Sequence, residues 1–308
     1  MAAGAARPPV GVSTGAFSRF PEYAAPEAVA EGMRRLEGAE IFEVLVFGHW
    51  EDPEAAGRTL AAAGRPVAVV HGVKHIGGLL GSAEAEERRR GQALALQAVR
   101  IAGLVGAPAV NVHLWDLPGS DRNLERNLEA LVELLPAVSA AGTRLLVETV
   151  PCQAAVPWEG VQRALDHAER VLGAEGPSSA LGVNLDLEFL AWHQGLEITL
   201  GEYAPRWAGR LGNVHVRDYD GRPFDEAGRR RYVNPGDGQL DLPRIFAQLA
   251  AAGYRGPLIF EGNVTRVGER DAVLAAASRY LVRMRDWAQA AWGWPGTGPG
   301  GGSDGGAG

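Results

Sequence analysis

The chain of 308 residues contains one cysteine, Cys152, and one lysine, Lys74. A single thiol excludes an internal disulfide and suits a reducing compartment, so a cytoplasmic protein is expected. No apolar run approaches the roughly 18 residues of a membrane span, which argues against a membrane partner. Residues 1–9, rich in Ala, Pro and Arg, lack the apolar stretch of a secretion signal and are expected to be flexible. Long basic runs are also missing, and the net charge of −7 weighs against nucleic acid as the main partner. Nearly all the positive charge is arginine, which reads as coding bias and makes Lys74 slightly conspicuous. No G-x-G-x-x-G phosphate fingerprint follows any strand. Gly236-Asp237-Gly238 reads instead as a tight turn feeding a helix capped by Asp241. What the chain does have is a hydrophobic fraction of 46%, enough for a large core.

Strand-like and helix-like segments alternate from about residue 10 to residue 291. The strand candidates are 10–13, 41–47, 67–71, 109–113, 144–148, 181–186, 213–216 and 258–261. Between them lie apolar stripes at helical spacing, such as Leu124, Leu128, Leu131 and Leu135, or Leu242, Ile245, Phe246 and Leu249. Asp52-Pro53 reads as a helix start, and Gly64, Gly106, Gly142 and Gly253 read as helix ends. Eight such pairs over residues 10–291 predict an α/β fold, a (β/α)8 TIM barrel. An open doubly wound sheet is the alternative, disfavoured by the regular count and the missing glycine fingerprint. Residues 292–308, almost wholly Gly, Pro, Ser and Thr, cannot bury enough surface to order themselves and predict a disordered Gly/Pro-rich tail.

Glu148, Asp186, His215 and Glu261 each close one apolar strand-like run, 38, 29 and 46 residues apart in succession. A carboxylate ending a run that is buried on both faces is costly without a partner. Barrel strands converge at their C-terminal ends, so the four side chains would meet on the face where active sites lie. Three carboxylates and one imidazole suit Mn²⁺, Mg²⁺ or Co²⁺ better than a closed structural zinc site. A hard cation chelated by a carbonyl and its neighbouring hydroxyl would acidify the intervening C–H and stabilise an enediolate. Carboxylates on either side of the substrate could then remove and return the proton. Taken singly, each residue could equally cap a strand or bond a loop amide.

These residues carry a family resemblance. Val70-His71-Gly72, Asn111-Val-His113, Leu146-Val-Glu148, Asn184-Leu-Asp186, Val214-His215-Val-Arg-Asp218, Pro235-Gly-Asp-Gly238 and Ile259-Phe-Glu261 resemble the xylose-isomerase-like sugar isomerase/epimerase barrels over nearly the whole domain. That group also includes an endonuclease that nicks abasic DNA. In its ketose 3-epimerases, the positions matching Glu148, Asp186, His215 and Glu261 bind one divalent metal, and those matching Glu148 and Glu261 are the acid/base pair. The resemblance implies the same roles here. Two departures matter. The family often has Asp-x-x-His where this chain has Asp186-Leu-Glu-Phe189. The nuclease branch needs an imidazole where this chain has Tyr232. Both departures argue for one metal and a small substrate over a multi-metal nuclease.

The expected function is therefore a metal-dependent isomerase or epimerase of a small ketose, polyol or sugar acid, with one divalent ion. Mn²⁺ leads, with Mg²⁺, Co²⁺ or Zn²⁺ as alternatives. The rival readings are a metal-dependent dehydratase of a cyclic polyol or shikimate-type acid and a non-catalytic sugar-binding barrel. A homo-oligomer is compatible with all three. His71, His113, Trp115 and Arg217 are expected at the substrate. His71 and His113 could alternatively be ligands or core histidines bonded to strand-end carbonyls. Arg217 could instead pair with Asp218 or Asp220. His49, Trp50, Trp158 and Trp192 are candidates for the rim. Lys74, His75 and Gly77-Gly78 read as a mobile loop or lid. Arg88–Arg90 and Arg229–Arg231 read as solvated faces, and Cys152 as a bystander.

Overall fold

Eight short strands pair in parallel, each with the next in the chain, and the last closes on the first. They are β1 (Val10–Ser13), β2 (Ile41–Leu45), β3 (Val67–His71), β4 (Ala109–Val112), β5 (Arg144–Glu148), β6 (Leu181–Asp186), β7 (Leu211–Val216) and β8 (Leu258–Phe260). This computed structural model describes residues 7–19, 23–115, 123–151, 154–265 and 268–293. The expected (β/α)8 barrel is present. The sequence estimate runs β2, β4 and β8 one or two residues long and starts β7 two residues late, because the ladder stops where the loops begin to diverge.

The α-helices among the described residues are α1 (Pro26–Arg35), α2 (Pro53–Ala61), α3 (Ile76–Leu80), α4 (Ala85–Val105), α5 (Leu124–Ala140), α6 (Pro157–Leu172), α7 (Leu187–Trp192), α8 (Leu196–Ile198), α9 (Ala204–Arg206), α10 (Leu242–Ala251) and α11 (Arg270–Ala291). Their caps follow the sequence. The Asp52 carboxylate accepts from the Ala55 amide at 2.9 Å at the start of α2, and Asp241 accepts from Arg244 at the start of α10. Gly106 ends α4 at φ +71°, where a side chain would be strained. No helix among the described residues is long and apolar enough to cross a membrane.

Strand side chains alternate between the helix layer and the barrel axis. The outward set, including Val10, Val12, Phe42, Val44, Val70, Val110, Val147 and Phe260, joins the main core under the helices. Low in the barrel, Val69, Ala109 and Leu146 form a separate small cluster. Leu146 fills the space left by Gly182 and Gly212, where an added Cβ would lie 2.7 Å from its methyl carbons. Higher up, the same inward positions become polar: Ser13, Glu43, His71, Asn111, Glu148, Asn184, Asn213 and His215 are all buried. Apolar packing closes the barrel below, and the site sits above it.

Three local expectations change. Residues 76–80 form helix α3, not a loose loop: Ile76 and Leu80 are buried, and the Gly77 carbonyl accepts from Asn127 at 2.8 Å. Order extends below residue 10, where Arg7 pairs with Glu40 through two hydrogen bonds, and the Pro9 carbonyl accepts from Leu258. At the other end Trp292 stays packed near Phe246, its indole donating to the Tyr254 carbonyl at 3.0 Å. The rest of the predicted tail, residues 1–6 and Cys152 lie outside the described residues.

Candidate metal centre

Register brings the four strand-end residues together. Asp186 and His215 are direct partners across β6 and β7, Glu148 lies opposite Asn184, and Glu261 follows β8 directly. One ligand atom from each of Glu148, Asp186, His215 and Glu261 falls within 4.8 Å of all the others, and all four residues are buried. His215 Nδ1 lies 3.4 Å from Glu148 Oε1, 3.3 Å from Glu261 Oε2 and 3.9 Å from Asp186 Oδ2. A second set sharing Glu148, with His71 and His113, also meets this condition. Their Nε2 atoms lie 3.5 and 3.3 Å from Glu148 Oε2. His71 Nδ1 donates to its neighbour's carbonyl, Gly72 O, at 2.7 Å, which turns Nε2 toward Glu148.

The electrostatics are those of a site that seeks positive charge. Burial would raise the Glu148 carboxyl, but His215 and His113 hold it well below the usual carboxylate range. Burial opposes ionisation of Glu261 too, and Arg217, His215 and Lys74 together hold it low. Burial raises Asp186 to about 7 against the pull of Arg217, with Glu148, Glu261 and Glu188 adding their repulsion. Burial alone would lower the His215 imidazole; Glu43, Glu148 and Glu261 instead raise it well above 6.5. Two ionised carboxylates thus stand beside two groups that hold protons. Glu261 Oε2 and His71 Nε2 make no hydrogen bond among the described residues, although both are buried. The donor set and these open atoms fit a hard or borderline divalent cation.

Several of the surrounding groups escaped the sequence reading. Glu43, inside β2, accepts from His215 Nε2 at 2.7 Å, and both residues have no exposed surface. That bond fixes Nδ1 as the nitrogen facing the three carboxylates. Asn213 Nδ2 supports the same Glu43 oxygen at 3.3 Å, and Asn111 Nδ2 donates to Glu148 Oε2 at 2.6 Å. The available signal was the one that revealed the four strand ends: a polar residue at an inward position of an apolar run. Asp186 has a structural duty as well, because Oδ1 caps α7 by accepting from the Phe189 amide.

Arg217 does not pair with Asp218 or Asp220. It binds Asp186, lies 3.1 Å from Glu188 and 3.5 Å from Glu261, and is almost wholly buried. Asp218 turns the other way and accepts from the amides of Gly236, Gly238 and Leu240, which holds the Gly236-Asp237-Gly238 turn in place. Arg230 is not on a solvated face: it reaches Glu188 Oε1 at 2.6 Å. Above the tetrad lies a cavity of about 320 Å³ lined by Lys74, His75, His113, Phe189, Arg217, Arg230 and Tyr232. His113 and Arg217 are therefore in its wall, whereas His71 lies beneath it against Glu148.

Trp115 is a correction. It has no exposed surface, donates its indole N–H to the Val150 carbonyl at 2.8 Å and packs against Gly160. It fills the helix layer because its ring points away from the barrel axis. Trp158 is buried against Gly195, and His49 and Trp50 line a different cavity beside the start of α2. Of the rim tryptophans, Trp192 comes nearest to the site, under the Arg230 guanidinium.

A family model described as a xylose isomerase-like TIM barrel matches residues 35–284. The chain belongs to this family. Solved xylose isomerase-like barrels share its fold. A xylose isomerase domain protein from Planctomyces limnophilus is 19% identical, over 92% of this chain and 98% of its own, with a TM-score of 0.62. D-allulose 3-epimerase from Methylomonas sp., in complex with D-allulose, is 17% identical over 91% of this chain and 97% of its own, with a TM-score of 0.68. For 3-keto-D-glucoside 4-epimerase from E. coli the values are 19%, 91%, 100% and 0.65. The chain spans 44% of a xylose isomerase-like TIM barrel/4-hydroxyphenylpyruvate dioxygenase fusion protein, which covers 92% of it at 18% identity and a TM-score of 0.67. Comparison with curated proteins finds no match.

Proposed function

We propose that this xylose isomerase-like protein is a cytoplasmic, divalent-metal-dependent isomerase or epimerase of a small ketose, polyol or sugar acid. The observation that carries this reading is the convergence of Glu148, Asp186, His215 and Glu261 within 4.8 Å at the open end of the barrel. Those four side chains would hold one ion, Mn²⁺ ahead of Mg²⁺, Co²⁺ or Zn²⁺. When bound, the ion supplies Lewis-acid polarisation of a substrate carbonyl and its neighbouring hydroxyl.

The proton chemistry belongs to the protein. Glu148 and Glu261 are both held ionised, the form that accepts a proton from carbon. One takes the proton and the other returns it, from the opposite side for epimerisation. Asn111 steadies Glu148, and Arg217 steadies Asp186. His113 lines the cavity directly above, placed to meet a substrate hydroxyl. Two structural neighbours, a D-allulose and an L-ribulose 3-epimerase, are named for reactions of this kind, which supports the reading.

The test is protein stripped with chelator and reloaded with Mn²⁺, incubated with a sugar and polyol panel in deuterated water. Deuterium entering one carbon without loss of water, only in the reloaded sample, is the expected result. Loss of water would transfer the site to dehydration chemistry. A protein that neither takes up Mn²⁺ nor gains thermal stability from it refutes the proposal. Glu261→Gln should lower turnover by about 10²- to 10⁴-fold, and retained activity would remove its assigned role.

A further inference from the structure

The cavity wall above the tetrad is cationic. Lys74, Arg217 and Arg230 line it, together with His75 and His113, and its lining contains no carboxylate. Lys74 is tethered only loosely, its Nζ 3.8 Å from Glu261 and its side chain 43% exposed. Arg19 adds a fourth cation at the edge, with a buried Nη2 that makes no hydrogen bond. The two aromatic residues in the wall carry guanidinium groups on their rings. The Arg217 and Arg230 guanidinium carbons lie 4.8 and 5.3 Å from the Phe189 ring centre, and that of Arg19 lies 4.3 Å from the Tyr232 ring centre.

Charge accounting points the same way. Glu43, Glu148, Asp186, Glu188 and Glu261 are met by Arg19, Lys74, Arg217 and Arg230. A divalent ion beside neutral His215 would leave one positive charge in excess, on the side of the site that opens through the partly exposed Lys74, Arg19 and Arg230. Tyr232 senses the field even without the ion. Burial would raise its phenol, yet Arg19, Lys74 and Arg217 bring it below its ordinary value. A neutral ketose leaves that excess uncompensated, whereas a ligand with one anionic group cancels it.

We infer that the substrate carries an anionic group, a carboxylate or a phosphate, which Lys74 and Arg230 receive at the mouth while its carbonyl end faces the tetrad. This rests on the metal-centred reading above and narrows its substrate class. Position 189, where an expected imidazole is missing, then has a role of its own: its ring seats Arg230, which takes the charge, while Tyr232 at the other such position holds Arg19 at the edge.

The test is calorimetric titration of Mn²⁺-loaded protein with D-fructose, 2-keto-D-gluconate and D-fructose 6-phosphate. At least one of the two anions should bind about tenfold more tightly than D-fructose, as charge-assisted hydrogen bonds predict. The preference should shrink in about 0.5 M salt. Lys74→Met and Arg230→Gln should each weaken anion binding severalfold, and Lys74→Arg should restore it. Preference for the phosphate alone assigns a sugar phosphate, and for the carboxylate alone a sugar acid. If D-fructose binds as tightly as both anions, or if salt and both substitutions leave the anion affinity unchanged, the inference is overturned while the metal-dependent isomerase survives. Failure to take up Mn²⁺ at all strikes the underlying proposal instead.

Discussion

Replacing Glu43 by glutamine removes a charge with almost no change in volume, at a position that cannot touch substrate. Glu43 Oε2 lies 2.7 Å from His215 Nε2, and neither residue has exposed surface. The bond holds the proton on Nε2 and turns Nδ1 toward the carboxylates, with Asn184 Nδ2 3.2 Å from it. Partners of this kind set the metal affinity of a histidine ligand by about 10- to 100-fold, or about 1.4–2.7 kcal/mol. Glutamine can still accept from Nε2–H through its amide oxygen, so Glu43→Gln should fall near the lower limit. Glu43→Ala leaves Nε2–H and Asn213 Nδ2 without their acceptor and should reach the upper limit, with a stability loss of about 1–3 kcal/mol. The measurement is calorimetric titration of the metal-free variants with Mn²⁺, run well above neutral pH so that proton competition at His215 is small. Affinities within about twofold of the parent for both variants would refute the assignment of Nδ1 as a ligand oriented by Glu43.

Without metal, stability should fall as pH rises above the mildly acidic range. Asp186 is raised from 3.8 to about 7 and His215 well above 6.5, so the folded state holds protons that the unfolded chain releases. Their stabilisation is complete below the unfolded values and is lost as pH climbs through the folded ones. Glu148 and Glu261, held low, act oppositely and lose their contribution as pH drops below 4.5. Melting curves in chelator across this range should show the decline, and Mn²⁺ should remove it. Mn²⁺ affinity should likewise increase with pH through about 7, with proton release measurable in weakly buffered solution. Trp115→Phe should cost about 2–3 kcal/mol in chemical denaturation through the lost Val150 hydrogen bond and packing, yet leave KM unchanged. Gly77→Ala places a Cβ 2.5 Å from the Trp115 backbone and 2.7 Å from the His113 carbonyl. It should destabilise by about 1–3 kcal/mol and raise KM, because His113 moves with that segment.

Much of the barrel was legible because its signals are local. Alternating apolar strands, the Asp52 and Asp241 caps and the glycines after the helices are all written in short windows. The four strand ends were legible for a related reason, since a carboxylate or imidazole closing an apolar run is visible without any partner. Trp115 misled because proximity to a strand end does not say which way a ring points. Its ring turned into the helix layer, while Phe189 and Tyr232, noted only for the imidazoles they replace, entered the cavity wall. Arg217 reaches the cavity wall as expected, but the alternative pairing with its sequence neighbours Asp218 and Asp220 does not form. In the fold it crosses instead to Asp186 and Glu188, one strand away.

The amino-acid order by itself determined the period of the elements, their caps and the polar residues that close apolar runs. Those properties depend on neighbours a few positions apart, where backbone geometry fixes who can meet whom. Tertiary structure alone decided that Glu43 reaches His215 across the barrel, that Asp186 divides its oxygens between a helix cap and Arg217, and that Arg19 and Arg230 come to the rim beside Lys74. Apart from the Asp186 cap on Phe189, each joins groups far apart in the chain. Which partner wins depends on strand register and on the cost of leaving a buried charge alone, and neither is defined until the barrel closes.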